Sequence, residues 1–312
     1  MTGVVTKSTG SWYTIRDRNH QKFQCRIRGK FRIKGIKSTN PITVGDYVDF
    51  ELEKDRDTGI ITNIHDRKNY IIRKSVKLSK QTHIIAANID QAFLLVTMDE
   101  PPTFPAFIDR FLVTTEAYGI ETILLFNKID LYNKKLNAQK NDLSKIYTQI
   151  GYQCLDISVK NNINIKDVEN LMKNKVSMFS GHSGVGKSSL INIIASDLNL
   201  KIAAISPQHK QGLHTTTFAE MFPLPFGGYI IDTPGIKGFG VVDLNQNEIG
   251  DYFREFFALK HRCKFNNCLH INEPKCAVKK ALENGEIANS RYKSYLTLLS
   301  GEDENFRVNS FD

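Results

Sequence analysis

The sequence predicts a multidomain protein with an all-β N-terminal part, a central α/β part and a mainly helical C-terminal part. Short apolar alternations broken by turns fill the stretch up to about residue 68, which is typical of a small β barrel. Between residues 92 and 231, strand-like runs alternate with amphipathic helices, as in a parallel sheet covered on both faces. Helical patterns around a cysteine cluster follow. The 312 residues divide into a predicted first domain at 1–68, a linker at 69–88, a second domain at 89–245 and a third at 246–312.

Composition indicates an ordinary globular protein with a polyanionic partner. Hydrophobic residues make up 41% and charged residues 24% of the chain, and the net charge is +9. Such a charge favours nucleic acid first and an anionic membrane surface second. No window of 18 apolar residues and no signal-peptide core is present, so we expect a cytoplasmic protein without a membrane partner. The five cysteines are an odd number with three clustered, which suits metal ligation better than disulfides.

The N-terminal domain shows strand patterns at 12–16, 22–27, 47–52 and 59–64 without any helical period. These patterns predict a five-stranded barrel of the OB type. Basic residues interleave with aromatic ones in its first half, and a basic face with stacking side chains is how such barrels hold RNA. For any single residue, a solvated charged face over an aromatic core is an equal alternative. The candidate RNA contacts are Trp12, Tyr13, Arg16, Arg26, Arg28, Lys30, Arg32 and Lys34.

The central domain follows a linker-like stretch at 69–88 that is rich in Lys and Arg and has no clear period. Strands are predicted at 92–96, 122–126, 153–157 and 176–180, and helices at 104–118, 136–150, 165–172 and 189–195. Ligands of such sheets bind beyond the carboxyl ends of the strands. The motifs at those strand ends are therefore the candidates for ligand binding.

A phosphate-binding loop follows the strand at 176–180 and precedes a helix. It fits G-x-x-x-x-G-K-[ST], and its glycines let backbone N–H groups and the helix N-terminus face phosphate oxygens. Lys187 is expected between the β and γ phosphates, and Ser188 on Mg²⁺. The alternative, a chance glycine-rich turn, is disfavoured by the strand and helix flanks. The predicted nucleotide contacts in this loop are Gly181, His182, Ser183, Gly184, Val185, Gly186, Lys187, Ser188 and Ser189.

Two base-recognition motifs come earlier in the chain. Asn127-Lys128-Ile129-Asp130 matches N-K-x-D, in which the Asp130 carboxylate can accept from guanine N1–H and N2–H₂, while the Asn127 amide can contact the N7/O6 edge. Adenine would leave that carboxylate unpaired, so the selection is sharp. Ser158-Val159-Lys160 resembles S-A-K, with valine replacing alanine, and is weak alone. The alternative for residues 127–130 is a plain turn or helix cap.

Switch residues are predicted after the phosphate loop. Gly212-Leu213-His214-Thr215-Thr216-Thr217 offers a threonine for Mg²⁺, with Thr216 our candidate, in a segment that can order and disorder. Asp232 and Gly235 lie in a D-x-x-G pattern; Asp232 is expected to hold Mg²⁺ through water and the Gly235 N–H to touch the γ-phosphate. Because the base-recognition motifs precede the phosphate loop, the sequence predicts a circularly permuted P-loop GTPase domain that uses Mg²⁺ with GTP.

The C-terminal domain contains Cys263-x₄-Cys268-x-His270-x₅-Cys276. Three thiolates and an imidazole at this spacing fit one structural, tetrahedral Zn²⁺; unrelated buried cysteines are the alternative. Helices are predicted at 277–283 and 289–299. Nearby basic residues make this module a second potential RNA contact.

These features together resemble the bacterial small ribosomal subunit biogenesis GTPase family, RsgA (also called YjeQ), over nearly the whole chain. The resemblance implies GTP hydrolysis stimulated by the small ribosomal subunit, a role late in its maturation, and GTP/GDP and small-subunit rRNA as partners of a monomer. Ile236 stands where Ras-like enzymes carry the glutamine that orients water. His214, or a ribosomal group, must replace it, so His214 and Lys187 are the catalytic candidates. His182 stands where the family has glutamine, which leaves backbone phosphate contacts unaffected.

Two other functions fit the sequence. A nucleotide-gated RNA-binding factor would use the same motifs with hydrolysis incidental, although Asp232, placed to organise Mg²⁺, argues against it. A phosphotransferase using the same loop is disfavoured because no acceptor site is visible.

Overall fold

The N-terminal strands close into a barrel because alternate side chains of each strand point inward. The structure is a computed structural model that describes residues 1–27, 41–54, 56–74, 82–195, 219–232 and 245–301. The barrel strands are β1 Thr2–Ser8, β2 Tyr13–Asp17, β3 Lys22–Ile27, β4 Tyr47–Leu52 and β5 Thr58–Ile64. Neighbouring strands pair in the order β1-β2-β3-β5-β4, and β4 also pairs with β1. The predicted OB-like barrel is confirmed.

An apolar cluster fills the barrel. Residues two apart on a strand share a face, and in β2 this places Tyr13 and Ile15 inside with almost no exposed surface. Cys25 of β3 is completely buried beside them. The remaining members of the cluster are Val5, Ile42, Val48, Phe50 and Ile61.

Contacts along the backbone group the chain into two compact units. The first comprises Met1–Phe93, Ile165–Ser180 and Lys187–Ile236, and the second Leu94–Asn164, Gly181–Gly186 and Lys237–Asp312. The domain boundaries suggested by the sequence remain predictions. Among the described residues, no helix has the length and apolar character needed to cross a membrane.

In the first unit the barrel is joined to further strands. The stretch 69–88, predicted as a linker, contains two strands, β6 Tyr70–Lys74 and β7 Thr82–Ala87, which pair antiparallel. The other elements are α3 Ile165–Met172, β11 Val176–Ser180, α4 Lys187–Ile194, β12 Glu220–Pro223 and β13 Tyr229–Asp232. β11 is parallel to β13, and β12 runs antiparallel to β13 on one side and to β1 on the other. At that second junction the Lys7 ammonium lies 3.0 Å from the Glu220 carboxylate.

The second unit combines the rest of the α/β elements with the C-terminal helices. The elements are β8 Gln91–Val96, which belongs to this unit from Leu94 onward, α1 Pro105–Ala117, β9 Glu121–Phe126, α2 Lys134–Gln149, β10 Gln153–Asp156, α5 Arg254–Lys260, α6 Ala277–Glu283 and α7 Asn289–Ser300. The strand order is β10-β9-β8, with β10 parallel to β9. A 3-10 segment, Gln246–Tyr252, precedes the C-terminal helices, and their core includes Val113 of α1.

A buried charge cluster fixes α7 to α1 and α5. The Arg291 guanidinium, 1% exposed, donates to Asp109 Oδ1 at 2.8 Å and to both Glu255 carboxylate oxygens at 2.7 and 3.0 Å. The Tyr147 hydroxyl donates to the same Asp109 oxygen at 2.7 Å. Burial raises the pKa of Asp109, and the neighbouring Arg291 charge opposes that rise.

Candidate functional site

The phosphate loop has the local structure that its motif predicts. β11 ends at Ser180, and α4 begins at Lys187. Gly186 has φ +96°, and a Cβ added there would lie 2.3 Å from the Asn127 side-chain nitrogen. Both the backbone conformation and the close approach therefore require glycine at this position.

Asn127 connects three segments of the second unit. Its backbone N–H donates to the Val96 carbonyl at 2.9 Å. Its side-chain nitrogen donates to the Val185 carbonyl at 2.7 Å, and its side-chain oxygen accepts from the Val159 N–H at 3.2 Å. The side chain is 1% exposed, so it holds the phosphate loop to the 158–160 loop. The guanine N7/O6 contact suggested by the sequence stays a prediction, because these two bonds use only one of the two N–H groups of the amide.

Asp130 is held by the second base-recognition loop. The fully buried Ser158 donates its hydroxyl to Asp130 Oδ1 at 2.5 Å and accepts from the Asn161 N–H at 3.1 Å. The two sequence motifs, 28 positions apart, are thus joined directly. Asp130 remains partly exposed, so its carboxylate is both oriented and accessible to a base.

A loop that the sequence did not single out lies beside these motifs. It covers residues 97–103, between β8 and α1. Lys128, with φ +66°, donates its ammonium to the Glu100 carbonyl. A Cβ added at Gly184 of the phosphate loop would lie 3.3 Å from Pro101. The Tyr132 hydroxyl accepts from the Met98 N–H. No pattern in the sequence marks these residues, because the contacts join separate segments.

The switch candidates fall mainly outside the described residues. His214, Thr216 and Gly235 lie there, as does the side chain of Asp232, although Asp232 is the last residue of β13. Lys160 is exposed and His182 is partly exposed, and the His182 ring packs against Phe107 of α1 with ring centroids 3.8 Å apart.

The predicted zinc ligands come together in the second unit. Their ligand atoms lie within 4.8 Å of one another. Cys263 Sγ is 4.0 Å from Cys276 Sγ and 3.7 Å from His270 Nδ1, which is 3.3 Å from Cys276 Sγ. A tetrahedron with Zn–S about 2.3 Å and Zn–N about 2.0 Å has edges of about 3.5–3.8 Å. Cys268 completes the set, and the four donors fit one such ion.

Backbone N–H groups near the cluster can stabilise thiolate sulfur. The Ala277 N–H lies 3.4 Å from Cys263 Sγ, and the Lys279 N–H lies 3.4 Å from Cys276 Sγ at the start of α6. Burial is the main cause that raises the pKa of Cys268 to about 12. A bound cation would counter that cost, because it stabilises thiolates.

The barrel candidates divide by face. Trp12 is 41% exposed, but Tyr13 is 1% exposed in the barrel core, so its predicted RNA contact is wrong: neighbouring strand residues face opposite sides. Arg16 is partly buried, and Arg26 is exposed and paired with Glu53 at 2.7 Å. Arg28, Lys30, Arg32 and Lys34 lie outside the described residues.

Comparison with protein families and curated proteins gives consistent matches. The RsgA N-terminal domain model matches residues 2–61, and the RsgA GTPase model matches residues 64–242. A protein of Flavobacterium psychrophilum named small ribosomal subunit biogenesis GTPase RsgA is 60% identical over 100% of this chain and 96% of its own length. The protein of the same name from Bacteroides fragilis strain YCH46 is 51% identical over 97% of this chain and 98% of its own length.

Solved structures agree with this. YjeQ from Thermotoga maritima has a TM-score of 0.77 at 36% identity, covering 96% of this chain and 97% of that one. YloQ, described as a circularly permuted GTPase, has a TM-score of 0.75 at 30% identity, covering 97% and 95%. The predicted permuted GTPase fold is therefore confirmed, and the chain is a member of the RsgA GTPase family.

Proposed function

We propose that this GTPase binds the small ribosomal subunit, acts late in its maturation and hydrolyses GTP in response to that subunit. The names of its relatives support the subunit as partner. The observation that carries the base preference is the joined arrangement of Asn127, Asp130 and Ser158. It presents an oriented carboxylate beside a phosphate loop, which is what a guanine nucleotide requires.

Residue roles in this proposal follow the motifs. Backbone N–H groups of residues 181–186 would surround the phosphates, and Lys187 would neutralise charge on the β and γ phosphates. Ser188, Thr216 and Asp232 would organise Mg²⁺, Gly235 would contact the γ-phosphate, and His214 would help to orient the attacking water. Asn127, Lys128, Asp130 and the loop Ser158-Val159-Lys160 would select guanine. Asn127 and Ser158 would in addition hold the phosphate loop and Asp130 in place.

Zn²⁺ fits the Cys₃His cluster as a structural ion. Cys263, Cys268, His270 and Cys276 would hold it, and four protein donors leave no position for substrate. Its chemistry would be to fix the loop between α5 and α6. The exposed Trp12 and the basic residues of the barrel would contact rRNA. We further propose a monomer in the cytoplasm.

The test is steady-state hydrolysis of GTP and ATP with and without purified small ribosomal subunits at fixed salt, since binding through a basic surface depends on salt. We expect stimulation that is specific for GTP and for the small subunit, and its loss in Lys187→Ala. Asp130→Asn should shift preference from guanine to xanthine nucleotides. Binding to the subunit without any stimulation would instead favour the nucleotide-gated RNA-binding factor.

A further inference from the structure

The hydroxyl of Tyr132 joins two loops of the base-recognition region. Tyr132 follows the N-K-x-D motif by two positions and is 9% exposed. Its hydroxyl donates to the Asn127 carbonyl at 2.6 Å and accepts from the Met98 N–H at 2.9 Å. One buried hydroxyl therefore satisfies a backbone acceptor in the motif and a backbone donor in the 97–103 loop.

Each of the two loops also contacts residues that the motifs assign to nucleotide binding. On one side, the Asn127 side chain continues the connection to Val185 of the phosphate loop and to Val159. On the other, the 97–103 loop accepts the Lys128 ammonium at the Glu100 carbonyl. Tyr132 therefore holds the backbone at Asn127, and the 97–103 loop holds the side chain of Lys128.

The Tyr132 hydroxyl keeps its proton at neutral pH. The pKa of Tyr132 is raised to about 12, mainly by burial and to a smaller extent by nearby carboxylates, Asp156 and Asp130 among them. A protonated hydroxyl can donate to the Asn127 carbonyl while it accepts from Met98. Phenylalanine at this position would fill the same space and make neither bond.

We propose that Tyr132 is a positioning residue for guanine recognition, holding residues 127–130 in the shape that lets Asp130 meet the base. This rests on the proposed GTPase function. A loop ordered before binding loses less conformational freedom when the base arrives. Without the hydroxyl, the Asn127 carbonyl and the Met98 N–H would stay buried without this partner, and the loop would relax to satisfy them.

The experiment measures dissociation constants of GDP and ADP by calorimetry for the full-length protein and for Tyr132→Phe. We expect the GDP affinity to fall about tenfold, as for one or two lost buried hydrogen bonds, with ADP affinity nearly unchanged. The ratio of the two affinities is the readout, because a purely structural loss would weaken both nucleotides alike. An unchanged ratio of the two affinities, whether neither falls or both fall equally, would overturn the proposal.

Tyr152→Phe is the matched control. Tyr152 is 2% exposed, and its hydroxyl donates to Glu116 at 3.0 Å, away from the base-recognition loops. It should lower the thermal midpoint without changing the GDP-to-ADP ratio. A wild-type protein that does not prefer GDP to ADP would refute the proposed guanine specificity itself, and this role with it.

A second variant covers the case in which Tyr132→Phe does not fold. The Asn137 side-chain nitrogen donates to the Tyr132 carbonyl at 2.9 Å. Asn137→Ala removes this bond and so weakens the hold on the Tyr132 backbone. We expect the ratio to fall about threefold, for one partly exposed hydrogen bond. An unchanged ratio in this variant would also overturn the proposal.

Discussion

Arg291→Ala is predicted to be among the most destabilising substitutions in the second unit. It removes the cation that serves two carboxylates, Asp109 with no exposed side chain and Glu255 with 8% exposed. It also removes the guanidinium that lies 4.5 Å from the centroid of the Phe253 ring. Breaking a buried pair by removing one partner costs about 3–5 kcal/mol, and we expect a loss of about 4 kcal/mol at neutral pH.

The loss should grow with pH. Burial raises the pKa of Asp109 above its ordinary value, and the Arg291 charge opposes that rise, so the pKa rises further in the variant. A carboxyl whose folded pKa exceeds its unfolded pKa stabilises the fold below the unfolded value, and this contribution is lost as pH rises through the folded pKa. The difference in the free energy of unfolding between wild type and variant is therefore smaller at pH 5 than at pH 8.

The assay is urea denaturation followed by far-UV circular dichroism, which reports on the helices that meet at Arg291. The only tryptophan, Trp12, lies in the barrel, so its fluorescence would follow the wrong region. Lys166→Ala is the control, because Lys166 forms an ion pair with Glu169 while 79% exposed and should cost less than about 1 kcal/mol. A loss for Arg291→Ala no larger than that of the control, or one that shrinks as pH rises, would refute the reasoning.

Three further predictions test other parts of the molecule. Removal of metal by a chelator, or Cys268→Ser, should lower the thermal midpoint and loosen the C-terminal helices in hydrogen exchange, and protection unaffected by either would exclude a structural ion. Gly186→Ala should nearly abolish GDP binding, because its Cβ would clash with Asn127, whereas Gly10→Ala, with positive φ but no neighbour within 4 Å, should cost about 1 kcal/mol of stability and leave GDP binding intact. The pKa of Asp49, lowered to about 2 mainly by its hydrogen bond with His65, should appear as an NMR titration midpoint near that value; an ordinary midpoint near 4 would contradict the contact.

The sequence predicted best what is encoded locally. Strands β2 to β5 were predicted because alternation of apolar residues is visible within a few positions. β1 was not, since Val4 and Val5 are consecutive buried residues in a strand with partners on both sides, which hides the alternation. β6 and β7 were not predicted, because the stretch 69–88 as a whole is rich in Lys and Arg without a clear period, and the pairing of the two strands is seen only in the structure.

The same distinction applies to the candidate site. The phosphate loop, N-K-x-D and the cysteine cluster are contiguous patterns, so their residues could be named in advance. Tyr132 and Pro101 could not, because their roles depend on contacts between segments that are separate in the chain. Tyr13 was misassigned although period-two geometry already requires it to face away from Trp12.

The junction between β1 and β12 has a consequence for shortened forms of the chain. A strand at the edge of a sheet exposes unpaired N–H and C=O groups that can recruit another chain. β12 has β13 on one side, and the first strand of the barrel covers its other side at Lys7. A truncated protein that begins after the barrel would leave this edge of β12 without the partner strand that it has at Glu220. Such a fragment would be prone to self-association. By pairing with this edge of β12, the barrel therefore also protects the sheet that follows it from aggregation.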